Sequence, residues 1–90
     1  MMLTRELTIN NKSGLHARPA SLWVQTAGRF HSNIKIKHGN SVVDGKSILG
    51  ILSLGLSTGS VFELLVEGED EIEAVVALEK LMIDLESQDR

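Results

Sequence analysis

The chain has no cysteine and no tyrosine, one proline, one tryptophan and two phenylalanines among its 90 residues. Without cysteine there is neither a disulfide nor a thiolate metal site, and the composition suits a reducing compartment such as the cytoplasm. So few aromatic rings leave no stacking platform for single-stranded RNA. Basic charge is scarce as well. Nine Lys and Arg against twelve Asp and Glu give a net charge of −3, and the one basic run is Lys35 and Lys37. That balance argues against nucleic acid as a direct partner, because phosphate binding needs clustered cations. No apolar run approaches the ~18 residues of a membrane span; Ile48 to Leu56 is broken by Gly50, Ser53 and Gly55. The opening MMLTRELTIN lacks the basic-then-apolar pattern of a signal peptide. What is there is a short, 42% hydrophobic chain without repeats or linkers, expected to fold as one domain, residues 1–90, around a modest core.

Periodicity divides the chain. In LTRELTI, Leu3, Leu7 and Ile9 share a face with Arg5, and Thr4, Glu6 and Thr8 take the other, which predicts a strand with one buried face. NNKSGL is a turn-rich loop. From Ala20 to Phe30, Leu22, Val24, Ala27 and Phe30 follow helical spacing with Trp23 alongside, and Gly28 suits the C-terminal end. NIKIKH alternates, and His38-Gly39-Asn40-Ser41 then predicts a hairpin turn into Val42-Val43. Ser47 is a good N-cap for a second helical piece, SILGILSLGL. After a loop between Gly55 and Gly59, SVFELLVE is another strand. Asp70, with Glu73 at capping-box spacing, is expected to start a last helix over residues 71–86, whose apolar stripe is Ala74, Val75, Leu78, Leu81, Met82 and Leu85. The order β-α-β-β-α-β-α, with one-faced strands, predicts an α+β fold in which helices cover one side of a four-stranded antiparallel sheet.

His16, Arg18 and the only proline, Pro19, fall within four residues. Proline is tolerated in the first turn of a helix, where amide donors lack partners anyway. That puts His16 at or beside the N-cap, at the positive end of the helix dipole, which disfavours the imidazolium form. A neutral imidazole is a nucleophile. A phosphoryl group on it would meet the free amides of Ala17 and Arg18, and the Arg18 guanidinium could fork onto its oxygens. Gly14 lets the preceding loop turn tightly. The spacing alone leaves two readings open: a phosphoryl acceptor, or an ordinary helix start with a weakly capping His and a solvated Arg.

The stretch SGLHARPASLWVQTA resembles the active-site signature of the HPr family, the histidine-containing phosphocarriers of the bacterial phosphoenolpyruvate-dependent sugar phosphotransferase system. A second block, GKSILGILSLGLSTGS, resembles that family's regulatory-serine region, and the final GEDEIEAVVALEKLM helix also fits, so the likeness covers essentially the whole chain. The resemblance implies an open-faced β-sandwich. It implies that His16 takes a phosphoryl group through Nδ1 from phosphorylated enzyme I and passes it to enzyme IIA domains for sugar uptake, with Arg18 and the Ala17 amide stabilising the group. Such a protein is a stoichiometric carrier rather than an enzyme, needs no cofactor and is expected to be a cytoplasmic monomer. Ser47 matches the serine modified by a kinase/phosphorylase, which would bring in that kinase and a catabolite-control transcription factor as further partners.

In the second block Ile48, Leu49, Ile51, Leu52, Leu54 and Leu56 cover more than one helical face. Either the helix is deeply buried or part of it is a docking patch. The resemblance assigns docking to Ile48, Leu49 and Leu52, with Ile51 and Leu54 toward the core and Ala17 and Ser21 completing an apolar rim around His16. His31 and His38 have no metal-ligand spacing with His16 and are expected at the surface; Trp23 is expected to pack or to line the rim. No paired carboxylates or Ser-His-Asp order point to a hydrolase. Two alternatives remain: a nitrogen-regulatory paralogue of the same family, and a ferredoxin-like ligand-binding regulatory domain, which would share the element order but not require the His-x-Arg-Pro helix start.

Overall fold

Strand alternation decides which side chains meet in the middle of the molecule. In the computed structural model, which describes residues 2–88, the elements are β1 (Met2–Thr8), α1 (Ala17–Ala27), β2 (Asn33–His38), β3 (Ser41–Asp44), α2 (Ile48–Ser53), β4 (Val61–Glu67) and α3 (Glu71–Gln88). The strands form one antiparallel sheet in the order β1-β4-β2-β3. Its register stacks apolar residues in rows: Leu3, Val66 and Ile34 form one, and Leu64, Ile36 and Val43, with Arg5 at the edge, form the next. The polar row Glu6, Glu63, Lys37 lies on the opposite face. A slip of one residue would exchange the two faces, so burial of one side fixes the register.

The three helices lie on the apolar face, α3 over β1 and β4, α2 against β3, and α1 against both other helices. Trp23 is fully buried at the centre, edge-on to Phe62 with ring centroids 5.8 Å apart, a favoured arrangement for two aromatic quadrupoles. Ile9, Leu15, Ile51, Leu64 and Leu78 belong to the same buried cluster. Arg5, on the helix side of an edge strand, reaches outward to Glu79 of α3 at 3.9 Å instead of entering the core. The two-residue turn Gly39-Asn40 joins β2 to β3 with Gly39 at φ +62, the conformation a hairpin loop of this length asks of its first residue.

Three expectations need correction. The first helix runs Ala17–Ala27, with Pro19 in its first turn, His16 as N-cap and Gly28 as C-cap as expected, but Phe30, counted in its spacing, falls outside. The second piece is helical only over Ile48–Ser53; Leu54 caps it and Gly55 turns away at φ +61. Asp70 and Glu73 do not form a capping box. The Asp70 carboxylate instead accepts from the backbone N–H groups of His31 (2.8 Å) and Ser32 (2.9 Å) and from the Ser32 hydroxyl. The reach-back is made by Glu71, whose Oε1 accepts from the Gly68 N–H at 3.1 Å. The Ser32 hydroxyl, then the His31 N–H, hold the Asp70 carboxyl down at about 2 from its ordinary 3.8, with partial burial opposing them. This bracket ties the loop before β2 to the start of α3.

Candidate functional site

The loop that carries His16 is held from below by its own backbone and by the loop that follows α2. The Asn11 side-chain amide donates to the Gly14 carbonyl at 2.8 Å, and the Gly14 N–H returns a bond to the Asn11 carbonyl at 3.2 Å. Gly14 sits at φ +68, and a Cβ there would lie 2.6 Å from the Leu56 carbonyl oxygen and 2.9 Å from Ser57 Cα. Only glycine satisfies both the angle and the approach. The Leu15 N–H donates to that Leu56 carbonyl at 3.0 Å, and the Thr58 hydroxyl lies 2.7 Å from the Asn11 carbonyl oxygen and 2.8 Å from that of Lys12. Leu15 is buried, so the chain is anchored immediately before the histidine.

His16 is the N-cap residue of α1, in extended conformation at φ −101 and ψ −160, and its ring makes no capping bond. Its carbonyl accepts the first intrahelical bond, from Ala20 N–H at 2.9 Å. The amides of Ala17 and Arg18 lie ahead of that bond, and Pro19, third in the helix, has no N–H to leave unpaired. Pro19 is buried, whereas His16, Ala17 and Arg18 are exposed. His16 and Arg18 open onto a cleft of about 210 Å³. Two of its walls could not be read from the sequence: Leu85 and Gln88, from the last turns of α3, and Asn11 and Ser13 below. Helical periodicity finds Leu85 as a core residue, but only the crossing of α1 and α3 brings it beside His16.

The second block reaches the same end of the molecule through α2, which packs against α1. Ser47 is the N-cap, its Oγ accepting from Gly50 N–H at 3.1 Å. Ile48, Leu49 and Leu52 are exposed, Leu49 to 77%, while Ile51 is fully buried and Leu54 packs partly against the core. Ser21, half-buried on α1, accepts a long 3.5 Å bond from Gln25. His31 is exposed, and His38 is half-buried with Nδ1 3.1 Å from the Val61 carbonyl oxygen. Neither joins His16, and among the described residues no His, Asp or Glu group is arranged to hold a metal ion. Among the same residues no helix is long and apolar enough to cross a membrane.

An open-faced α+β sandwich that presents an exposed imidazole, an arginine and unpaired helix amides at one end belongs with small modules built to hold a transferable anionic group. Comparison with known proteins narrows this. Residues 3–84 match the family model described as the PTS HPr component phosphorylation site. The chain is 42% identical over 80 residues to the phosphocarrier protein HPr of Treponema pallidum, spanning 89% of this chain and 91% of that protein. It is 45% identical over 80 residues to the HPr-like protein Crh of Bacillus subtilis, with coverages of 89% and 91%. The crystal structure of an HPr from Thermoanaerobacter tengcongensis superposes with a TM-score of 0.93 at 46% identity, covering 98% of this chain and 99% of that one. The chain belongs to the HPr family, the phosphocarriers of the bacterial phosphotransferase system.

Proposed function

We propose that this chain acts as one carrier domain that accepts a phosphoryl group on His16 Nδ1 from phosphorylated enzyme I and hands it to enzyme IIA domains that serve sugar uptake in the cytoplasm. The observation that carries the reading is the exposed His16 ring at the N-cap of α1, on a cleft shared with Arg18. The transfer is a displacement at phosphorus: the Nδ1 lone pair forms the new N–P bond as the bond to the donor nitrogen breaks, and the second ring nitrogen keeps its proton. The group then carries its negative charge against the Ala17 and Arg18 amides and the Arg18 guanidinium. The chain turns over nothing by itself; each step is stoichiometric and needs no cofactor. Ile48, Leu49 and Leu52, with Ala17 and Ser21 nearer the histidine, form the rim on which enzyme I and the enzyme IIA domains dock in turn.

The experiment is incubation with enzyme I and labelled phosphoenolpyruvate. The label is expected on the protein, lost in acid as a phosphoramidate is, and absent from His16→Ala. A chain that takes no label, or takes an acid-stable one, overturns the reading. Adding sugar-branch and nitrogen-branch enzyme IIA proteins separately then tests which branch drains the label.

A regulatory reading of Ser47 rests on a separate observation, the N-cap hydroxyl standing next to the exposed Ile48 and Leu49. A phosphate there adds about −1.5 to −2 charge at a helix start that tolerates it, on the edge of the docking rim, and slows transfer to His16. A serine kinase/phosphorylase would install it, and a catabolite-control transcription factor would read it. Equal transfer rates for Ser47→Asp and the unmodified protein would count against this.

A further inference from the structure

α3 carries a second apolar surface that phosphoryl transfer does not use. Ile72, Val76 and Ile83 are 64%, 59% and 63% exposed, more than Ile48 or Leu52 at 38%. At 100° per residue the three fall within an arc of roughly 40°, spread along roughly 16 Å of helix. They form a straight stripe of β-branched side chains pointing away from the core, roughly opposite the Leu85 face that borders His16. The stripe continues into a groove of about 300 Å³ between α3 and the edge strand β1, floored by Leu7, Met82 and Ile83 and rimmed by Glu6, Glu79 and Glu86. By the same helical geometry Glu73 borders the opposite side, with Lys80 and Asp84 beside it. The cations nearby are already engaged: Lys80 with Asp84 at 3.8 Å, and Arg5 with Glu79 at 3.9 Å.

We infer that this face is a docking surface for an amphipathic helix of a partner protein whose apolar strip is bordered by Lys and Arg. The charge pattern selects that occupant. A second copy of the chain would set one acidic rim against another, and like charges brought together disfavour the contact. A basic helix would pair both borders while its apolar side chains cover Ile72, Val76 and Ile83 at the four- and seven-residue spacings that helices share. Because the stripe faces away from the cleft, a partner can stay bound there while His16 gains or loses its phosphoryl group. The proposal therefore goes beyond the carrier role and does not depend on it.

The test is an NMR titration of the isotopically labelled protein with a Leu/Lys amphipathic helical peptide, with its Leu/Glu counterpart, and with unlabelled protein itself. The Leu/Lys peptide is expected to shift amide signals of α3 and β1 first. Its affinity is expected to fall about tenfold in Val76→Asn/Ile83→Asn and in Glu73→Lys/Glu86→Lys, and to weaken with added salt. Circular dichroism checks that both variants fold, and their rate of labelling through enzyme I is expected to match wild type. Shifts centred on α2 instead, equal binding of the Leu/Glu peptide, or perturbation of α3 by the unlabelled protein alone would each overturn the assignment, the last in favour of a second copy.

Discussion

Replacing Gly14 with alanine should cost far more than the same change at Gly55, and the excess can be worked from distances. An L-residue in the left-handed region costs about 1–2 kcal/mol. Gly14 at φ +68 and Gly55 at φ +61 incur that cost alike, and both changes reduce the freedom of the unfolded chain equally. The difference lies in space. A Cβ at Gly55 has nothing within 4 Å, whereas at Gly14 it meets the Leu56 oxygen at 2.6 Å and Ser57 Cα at 2.9 Å, both backbone atoms that cannot rotate aside. Relieving the overlap means parting two loops, an overpacking cost of about 1–3 kcal/mol, with the Leu15 to Leu56 hydrogen bond adding about 1 kcal/mol if it breaks. Gly14→Ala should therefore be about 1–4 kcal/mol less stable than Gly55→Ala. Urea denaturation with linear extrapolation measures the difference, and thermal melting should separate the two by several degrees per kcal/mol. The same variant should accept phosphoryl groups more slowly even where it is folded, because the loop that moves carries His16. Equal stability of the two variants, within about 0.5 kcal/mol, would refute the argument that close approach of the two backbones positions the histidine.

Other outcomes follow from single features. Ser47→Ala should lose about 0.5–2 kcal/mol, while Ser47→Asp keeps a capping acceptor and should recover most of it; urea midpoints of the two decide. Trp23→Ala, at the fully buried centre against Phe62, should cost about 3–5 kcal/mol, and the wild-type Trp23 fluorescence should shift to the red as the core opens in denaturant. Asp70 gives a pH signature. Its carboxyl is held at about 2 against an ordinary 3.8, so its contribution is fully present above about 4 and is lost as pH falls toward 2. Wild-type stability should drop through that window more steeply than that of Asp70→Asn, and parallel curves would argue against the bracket to His31 and Ser32. If exposed Leu49 docks enzyme IIA as proposed, Leu49→Asp should raise the concentration of enzyme IIA needed for half-maximal transfer more than it lowers the maximal rate.

Local signals were enough where one residue type has one physical use. Alternation located β1 and β2 to within a residue, because a half-buried strand has a period of two whatever its neighbours do, and the Gly39-Asn40 turn placed β3 beside β2. Pro19 located the start of α1, and through it the position of His16, because proline fits only the first turn. What stayed hidden depends on tertiary partners. Asp70 reads as an N-cap, but its carboxylate finds two N–H groups and a hydroxyl on a loop 38 residues earlier, and three donors outcompete one. The apolar run after Ser47 continues through Leu56, yet the helix stops at Ser53 because Gly55 takes a positive φ and the chain leaves to meet the loop below His16. That α3 ends against His16 follows from a helix crossing, which no local pattern encodes. The stripe Ile72, Val76 and Ile83 was legible as apolar residues on the wrong side of an amphipathic helix, but attention to the core-facing stripe conceals it.

On the proposed reading, the division of labour around His16 follows from what a carrier must do. A group that is to be taken from one protein and given to another cannot be bound too tightly in between, or the second step slows as the first gains. The architecture meets this by making the support rigid and the contacts few. Leu15 and Pro19, the residues on either side of the exposed segment, are buried, and Gly14 is locked to the Leu56 backbone. The ring itself makes no capping bond. Fixed backbone amides stabilise a bound phosphate without closing over it, and Arg18, on a flexible exposed side chain, can follow the group toward either partner. Adding a second cation beside the cleft, as in Ser13→Arg, is therefore expected to speed labelling by enzyme I or leave it unchanged while slowing discharge to enzyme IIA, because ground-state binding of the phosphoryl group deepens more than the transition state for its departure. Single-turnover measurement of the two half-reactions decides the point. Acceleration of both steps would show that His16 is limited by weak phosphate binding, and the balance argued here would fail.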